Sequence, residues 1–501
     1  MTAALVELSP GDDVLVALEP LGAGMQVDGL KLLDAIRQGH KLARRAIAQG
    51  ETVRKYGFPI GRASVAIPAG AHVHLHNLRS GLEDPETESI SAKAEVRREH
   101  DEARSAPATF LGYRRADGRV GIRNEIWIIN TVACVNSPAE RIATLARERY
   151  VRPAGPISGV YAFSHPYGCS QLGDDLSHTR AVLTGLARHP NAAAVLILGL
   201  GCENNQLGAF LKALGDFDER RIKFFNAQDV GDEIETGLEV MDQLAAHAAT
   251  FQRESVPASE LVLGMKCGGS DGLSGLTANP LVGRISDWLG GQGGTALLTE
   301  VPEMFGAEAI LLGRADSPAV AKKFRAMIGE FKDYFHRHHE PVNENPSPGN
   351  KEGGISTLEE KSLGCVQKGG TAPVREVIGY GEPAPLHLGG LGLVHAPGND
   401  GVSITALAAA GAQMILFTTG RGTPLGAPVP TLKIASNSSL AERKPAWIDF
   451  DAGRLLTGVK MDELAVELRA LVLRVASGEA QARNEVNGYR EIAIWKDGVT
   501  L

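Results

Sequence analysis

A chain of 501 residues, 43% hydrophobic and 22% charged, has the composition of a soluble globular protein and room for about two to four domains. Its net charge of −8 excludes the basic stripe of a nucleic-acid binder, and an acidic substrate would need locally placed Arg or Lys rather than long-range attraction. The opening MTAALVELSPGDDVLV lacks the basic and apolar regions of a signal peptide, and the longest apolar run, AAAVLILGLG, is about half a membrane span, so the expectation is a cytoplasmic protein with neither nucleic-acid nor membrane partner.

Residues 1–80 read as a small β-rich domain, in which DVLVAL, TVRKYG and SVAIPAGAHVHLHNL are short β runs broken by Gly and Pro. The segment LKLLDAIRQGHKLARRAI (30–47) is expected to form a helix, with His40 solvated in a polar turn. His72, His74 and His76 recur at period two, which on a strand puts all three on one face, where they suit a metal or an acid anion. Lys55 in RKYGFPIG is a nearby cation. Residues 81–108 are highly charged, poor in large apolar side chains and contain two prolines; this is linker composition.

From residue 109 the texture changes to short apolar runs alternating with longer amphipathic stretches, the sign of βα units and a mostly parallel sheet. Expected strands are 125–130, 159–164, 194–200, 261–266, 295–300, 391–396, 413–418 and 431–436. Expected helices are SPAERIATLARERY, HTRAVLTGLARH, SPAVAKKFRAMIGEFKDYFHRHH and MDELAVELRALVLRVASG. The region divides into 109–250, a first α/β unit, and 251–501, a C-terminal α/β unit. A Gly- and Pro-rich stretch over 340–390 marks a long functional loop.

Ligands of open α/β sheets bind outside the carboxyl ends of the strands. Here those ends carry TVACVNS, HPYGCSQLGDD, GCENNQ, CGGSDG, VPEMFG, PGND and TGRGTP. They hold four of the five cysteines: Cys134, Cys169, Cys202 and Cys267, with Cys365 elsewhere. Thiolates from separate loops suit an iron–sulfur cluster with one open iron or a mononuclear Fe(II) site, and small buried cysteines at crowded turns are the structural alternative. Arg421, between two glycines in FTTGRGTP, can clamp a carboxylate. Asp271, Glu300, Glu303 and Asp400 are candidate acids, bases or hard-metal ligands, and His165 lies beside a cysteine and a tyrosine. His178 reads as a residue on a helix face.

Several of these stretches are long: SHPYGCSQLGDD, GLGCENNQ, CGGSDGLSGLTANP, LTEVPEMFGAE, ENPSPGNKEGG, TLEEKSLGCVQKGG, APGND and FTTGRGTPLGAPVPTLKIASNS. Together they resemble the altronate/galactarate dehydratase family over essentially the whole chain, the N-terminal part resembling an SAF-type β-clip domain. Cys365 in SLGCVQK, together with ENPSPGNK and HPYGCSQLGDD, is closer to the altronate than to the galactarate type. Lys266 departs from the pattern, which carries an acidic or neutral residue before the cysteine. The resemblance implies an α/β protein with a Rossmann-like, mostly parallel sheet in the large domain and a dimerising region between it and the β-clip. It implies a hydro-lyase converting D-altronate to 2-keto-3-deoxy-D-gluconate and water; galactarate dehydration, or sugar-acid binding without catalysis, are the alternatives. The implied cofactor is Fe2+, or another divalent ion such as Mn2+, with the iron–sulfur cluster left open by the cysteines themselves, and the implied partner is a second copy of the chain. On this chemistry Arg421 takes the carboxylate, His165 or Asp271 moves protons, and Cys169, Cys202 and Cys267 hold iron. Ser270, Lys351, Asn399, Thr423, His74 and His76 line the substrate.

Overall fold

The computed structural model describes residues 4–82 and 107–501, so the expected linker falls almost wholly outside the described residues. The N-terminal unit is built of short antiparallel strands. Leu5–Val6, Val14–Ala17, Lys41–Ala43 and His72–Val73 form one sheet, and Thr52–Lys55, Phe58–Ala63 and Leu78–Arg79 another. The helix expected over 30–47 does not form. Gly29 and Gly39 both sit in the left-handed region (φ 79 in each), where glycine interrupts a helix at no steric cost. Leu30–Lys31 pairs back onto Gln26–Val27, and Lys41–Ala43 joins the first sheet. The helix-like apolar spacing is satisfied another way: Leu32 and Ile36 close a small core with Leu5, Leu21 and Leu42.

The second unit is a four-stranded parallel sheet, in the order Gly159–Ala162, Glu125–Asn130, Ala192–Gly199, Ile222–Asn226. Helices cover both faces, which is why Glu125–Asn130 and Ala192–Gly199 are buried at every position. Ile126 and Ile128 pack with Ala139, Ile142 and Met241 of the helices Asn136–Tyr150 and Glu233–Ala248. Trp127 and Ile129, pointing the opposite way, pack with Val182 and Leu183 of Gly173–Ala187. That second core runs on into Leu407 and Ile415 of the C-terminal unit, so the two α/β units share one apolar layer. A three-stranded antiparallel sheet also bridges them, with Thr109–Arg114 between Val120–Gly121 and Glu254–Pro257.

The C-terminal unit is a seven-stranded sheet, parallel throughout. Its order is Val374–Ile378, Gly390–Val394, Thr295–Leu298, Val262–Cys267, Met414–Thr419, Thr431–Ala435, Phe450–Asp451. The chain builds outward from Val262–Cys267 to one side, then returns to add Met414–Thr419 on the other. The two strands lie side by side while their connections diverge, which opens a crevice beyond their carboxyl ends. Among the described residues no helix is long and apolar enough to cross a membrane.

Candidate active site

The crevice is filled by the loop after Val262–Cys267 and the loop after Met414–Thr419. Gly269 has φ 62, and its carbonyl accepts from the backbone N–H of Gly420 and Arg421 (3.0 and 2.8 Å). A methyl group at Gly420 would overlap the Asp271 carboxylate, so glycine is what lets the two loops meet. Asp271 is held by Ser274 Oγ (2.8 Å), Ser436 Oγ (2.9 Å to each oxygen) and Asn437 Nδ2 (3.1 Å). Burial raises its carboxyl above the usual range, against the pull of those hydrogen bonds.

Cys267 ends its strand in a buried knot of charge. Its sulfur lies 3.0 Å from Glu303 Oε2 and 3.3 Å from the sulfur of Cys365, itself 3.0 Å from Glu303 Oε2. The three donor atoms all lie within 4.8 Å of one another and all three residues are buried. Two thiols and a carboxylate converging without bulk water suit a borderline divalent ion such as Fe2+, so the residues present fit the metal. The Cys365 thiol is pushed well up by its hydrogen bond with Cys267, then by burial. Glu303 comes from the turn Val301–Met304. Glu300 immediately before it adopts φ 72, ψ 62, a left-handed conformation that costs a non-glycine residue about 1–3 kcal/mol and is tolerated where a site demands it.

Lysines surround these acids. Lys266 pairs with Glu300 and reaches Asp400 at 2.8 Å; Lys361 reaches Glu303 at 2.9 Å; Lys368 lies 3.5 Å from Glu300 and makes no hydrogen bond. Burial works against the Lys266 ammonium, but Glu300, Asp400 and Glu303 outweigh it and hold the group charged. Burial would likewise raise Glu303, and Lys361, Lys266 and Lys368 outweigh it, keeping the carboxyl well below its usual range. The departure from the family pattern at Lys266 is thus matched by acids from two other loops.

The N-terminal unit closes the site. Lys41 and Lys55 are both 1% exposed and both bind Glu360, each at 2.8 Å to a different carboxylate oxygen. Two buried ammonium groups share one carboxylate. Lys41 is accordingly lowered to about 8, by burial first and with the charge of Lys55 also acting against it, while the two lysines together depress Glu360 to about 2 in spite of its burial. A small cavity of about 10 Å3 lies here, lined by Lys55, Tyr56, Asp271, Glu360, Lys361 and Cys365 among others.

The structure sorts the sequence-predicted residues. Cys267, Ser270 and Asp271 lie at this site, and Ser270 Oγ is buried without a partner among the described residues. Cys169 and Cys202 are exposed on the other sheet and are not part of the Cys267 group; the expected iron set is divided because its cysteines end strands of two separate sheets. His165 is buried in that second unit, with Nε2 on the Asn130 carbonyl (2.9 Å) and Nδ1 accepting from Tyr167 N (3.2 Å). Both ring nitrogens are thus engaged by the backbone of that unit, away from the Cys267 group. Arg421 is on the rim, 45% exposed and paired with Glu352 at 2.9 Å. Asn399 caps the helix Asp400–Ala409 through Val402 N, and Thr423 Oγ1 accepts from Leu425 N.

The histidines also differ from expectation. The strand stops at Val73, and His74–Asn77 is a turn closed by Asn77 Oδ1 on His74 N (2.9 Å). His40 is buried rather than solvated: its Nδ1 is 3.0 Å from His72 Nε2 and its Nε2 is 3.1 Å from the Glu352 carbonyl. His74 Nε2 lies 2.8 Å from the carbonyl of Lys351. The ring centroids of His40, His72 and His74 lie 5.2–5.4 Å apart where the N-terminal unit meets the short helix Pro348–Glu352. Lys41, Glu360, Lys361 and Lys368 were not legible as site residues, since charges in a helical stretch read as a solvated face. The available signal was TLEEKSLGC itself, a helix Leu358–Cys365 with no apolar face and every residue buried.

Buried lysines that hold a carboxylate, two loops that meet at Asp271 and a thiol–carboxylate donor set gather at one crevice. Comparison with known proteins gives the family. Residues 258–500 match the family model described as D-galactarate/altronate dehydratase, C-terminal; residues 112–249 match D-galactarate dehydratase/altronate hydrolase, second domain; residues 3–81 match the altronate/galactarate dehydratase SAF domain. The chain is 48% identical to an altronate dehydratase of Bacillus subtilis (strain 168), over 99% of this chain and 100% of the relative. It is 49% identical to an altronate dehydratase of Escherichia coli (strain K12), over 98% of each chain, and 33% identical to the galactarate dehydratase (L-threo-forming) of the same organism, over 99% of this chain and 97% of the relative. The chain belongs to the altronate/galactarate dehydratase family.

Proposed function

We propose that the protein is a metal-dependent hydro-lyase that converts D-altronate to 2-keto-3-deoxy-D-gluconate and water. The observation that carries this reading is the buried pair Lys41 and Lys55 sharing the single carboxylate of Glu360 beside the cavity. One unmatched positive charge in a buried pocket is a seat for a substrate carboxylate, and a desolvated ammonium holds it far more strongly than a surface one would.

The difficult step is loss of the proton next to that carboxylate, because the resulting aci-carboxylate carries two negative charges. Lys55 and Lys361 on the cavity wall stabilise that second charge as it develops. Asp271, raised by burial and steadied by Ser274, Ser436 and Asn437, moves the proton, since a carboxyl brought toward neutrality serves as both base and acid. The enol left after the C3 hydroxyl departs tautomerises to the 2-keto acid. Cys267, Glu303 and Cys365 would hold the divalent ion, which when bound supplies Lewis-acid polarisation of a substrate oxygen. Lys361, Lys266 and Lys368 keep Glu303 ionised, while burial and the charge of Glu303 raise Glu300 above its usual range in spite of Lys266 and Lys368. Arg421 and Lys351 form the cationic rim by which the acid enters, beside histidines that burial keeps neutral.

We infer further that the seven-stranded sheet is the family's Rossmann-like variant, that the N-terminal unit is a β-clip serving as a lid, and that the enzyme works as a cytoplasmic homodimer joined through the second unit. Identity supports D-altronate over galactarate, at 48% and 49% against 33%. Purified, iron-loaded protein assayed on both acids tests this: turnover should favour D-altronate at least tenfold in kcat/KM, and a preference for galactarate, or no turnover of either, would overturn it.

A further inference from the structure

Cysteine is among the residue types most often buried, yet Cys134, Cys169 and Cys202 are all exposed. They follow three adjacent parallel strands of the second unit, Glu125–Asn130, Gly159–Ala162 and Ala192–Gly199. The Cys267–Glu303–Cys365 group uses none of them.

Their three loops are tied into a closed triangle. Ala133 N, one residue before Cys134, donates to the Tyr167 carbonyl at 2.8 Å. Asn205 N donates to the Gly168 carbonyl at 2.9 Å, and Ser170 N to Asn204 Oδ1 at 2.7 Å, so the residues on either side of Cys169 are held by the Cys202 loop. Asn205 Nδ2 closes the third side on the Thr131 carbonyl at 3.0 Å. Gly168 (φ 99) packs so tightly on Thr131 that a methyl group there would overlap the Thr131 carbonyl. Such bracing is far more than three surface turns need.

Polar groups at the same edge lack partners. Asn130 (0% exposed) has a buried Oδ1 and Gln171 (2% exposed) a buried Nε2 with no hydrogen-bond partner among the described residues. Gln171 Oε1 accepts from Gly168 N at 3.0 Å, which places that free amide beside the Cys169 turn. Gln228 Nε2 already lies 3.5 Å from the Cys202 sulfur. Amide donors of this kind stabilise thiolate and sulfide sulfur.

Among the described residues the three sulfurs do not gather within the 4.8 Å that Cys267, Glu303 and Cys365 share. A single tetrahedral ion with metal–sulfur bonds of about 2.3 Å needs its sulfurs roughly 3.8 Å apart, whereas a cubane takes one thiolate per iron and spreads them. We propose that Cys134, Cys169 and Cys202 form a three-thiolate site for a [4Fe–4S] cluster, separate from the Cys267–Glu303–Cys365 site. Each thiol loses its proton to solvent and binds one iron; the cluster's oxidation state does not change, and the fourth iron faces solvent, open to an oxygen ligand such as a hydroxy acid.

Anaerobic treatment of the full-length protein with equal amounts of ferrous and ferric iron and a matching amount of sulfide, which together balance to [4Fe–4S]2+, tests this, by iron and acid-labile sulfide content and by visible absorption. The wild type should take up about four of each per chain, with a broad iron–sulfur charge-transfer band. Cys134→Ser, Cys169→Ser and Cys202→Ser should each lower acid-labile sulfide about fourfold or more while the melting temperature of the cluster-free protein stays unchanged; Cys267→Ser and Cys365→Ser should leave it intact. Iron uptake without sulfide, one zinc per chain lost with these same variants, or sulfide retained in the triple variant would each overturn the proposal. So would its loss in Cys267→Ser alone. None of these readouts depends on turnover of D-altronate, so the proposed dehydration and the cluster stand or fall separately.

Discussion

The carboxyl ends of the two parallel sheets face the same geometric problem and answer it with opposite chemistry. At the C-terminal sheet, two cysteines are buried among lysines and glutamates, and the N-terminal unit adds Lys41, Lys55 and Tyr56. At the second unit's sheet, three cysteines lie open on loops braced by neutral amides. A buried ion network costs desolvation that only well-made partners offset, so the first edge is committed to holding charge away from water. The second edge accepts a ligand from solvent. Strand-end position alone therefore predicts where chemistry sits but not which chemistry.

Substitutions can break or sharpen this contrast. The largest effect should come from Asp271→Asn, which keeps the shape of the loop and removes the ionisable group: kcat on D-altronate should fall about a hundred- to ten-thousand-fold, and steady-state kinetics within tenfold of wild type would remove Asp271 from proton transfer. Cys365→Ser should weaken divalent-metal affinity by at least about tenfold, measured by equilibrium dialysis, while leaving acid-labile sulfide at the other edge unaltered. Loss of both together would merge the two sites into one.

Glu360→Gln leaves Lys41 and Lys55 buried without a counter-charge and should cost about 3–5 kcal/mol in urea denaturation. Glu352→Gln, which breaks the exposed pair with Arg421, should cost under about 1 kcal/mol. Equal costs would mean that the Glu360 cluster is not a buried network in solution.

The smallest effect is on pH dependence. Burial lowers His72 to about 3 and His74 to about 4, and lowers His40 as well. An unfolded imidazole titrates near about 6.5, so between the folded and unfolded values the unfolded chain binds more protons. Stability should therefore rise with pH from about 4 to about 6.5 and level off above. Buried His189 of the second unit, lowered to about 3 by burial, adds to the same slope. Denaturation midpoints measured from pH 7 down to 4 should fall progressively, and His72→Gln should flatten the fall; an unchanged slope in that variant would place the dependence elsewhere.

The eight strands expected from apolar runs all correspond to strands of the two sheets, because a strand covered on both faces must be apolar at every position. Ile222–Asn226 and Val374–Ile378 escaped notice because they are edge strands, half-exposed and mixed in polarity. The segment 30–47 misled because apolar spacing does not reveal which backbone satisfies it: Gly39 turns the chain, and His40 and Lys41 go inward to partners more than three hundred residues away.

By itself, the sequence determined the alternation of strand and helix, the clustering of cysteines and acids at strand ends, and membership of the family, since periodicity and long motifs are local properties. Tertiary structure alone decided that Cys267 lies beside Cys365 and Glu303 rather than Cys169 and Cys202, that Lys41 and Lys55 of one unit share a glutamate of another, and that both ring nitrogens of His165 are engaged by the backbone of the second unit. Such pairings follow from strand order and from how units dock. The free energy of a buried charge depends on which partners lie within a few ångströms, and spacing along the chain does not carry that information.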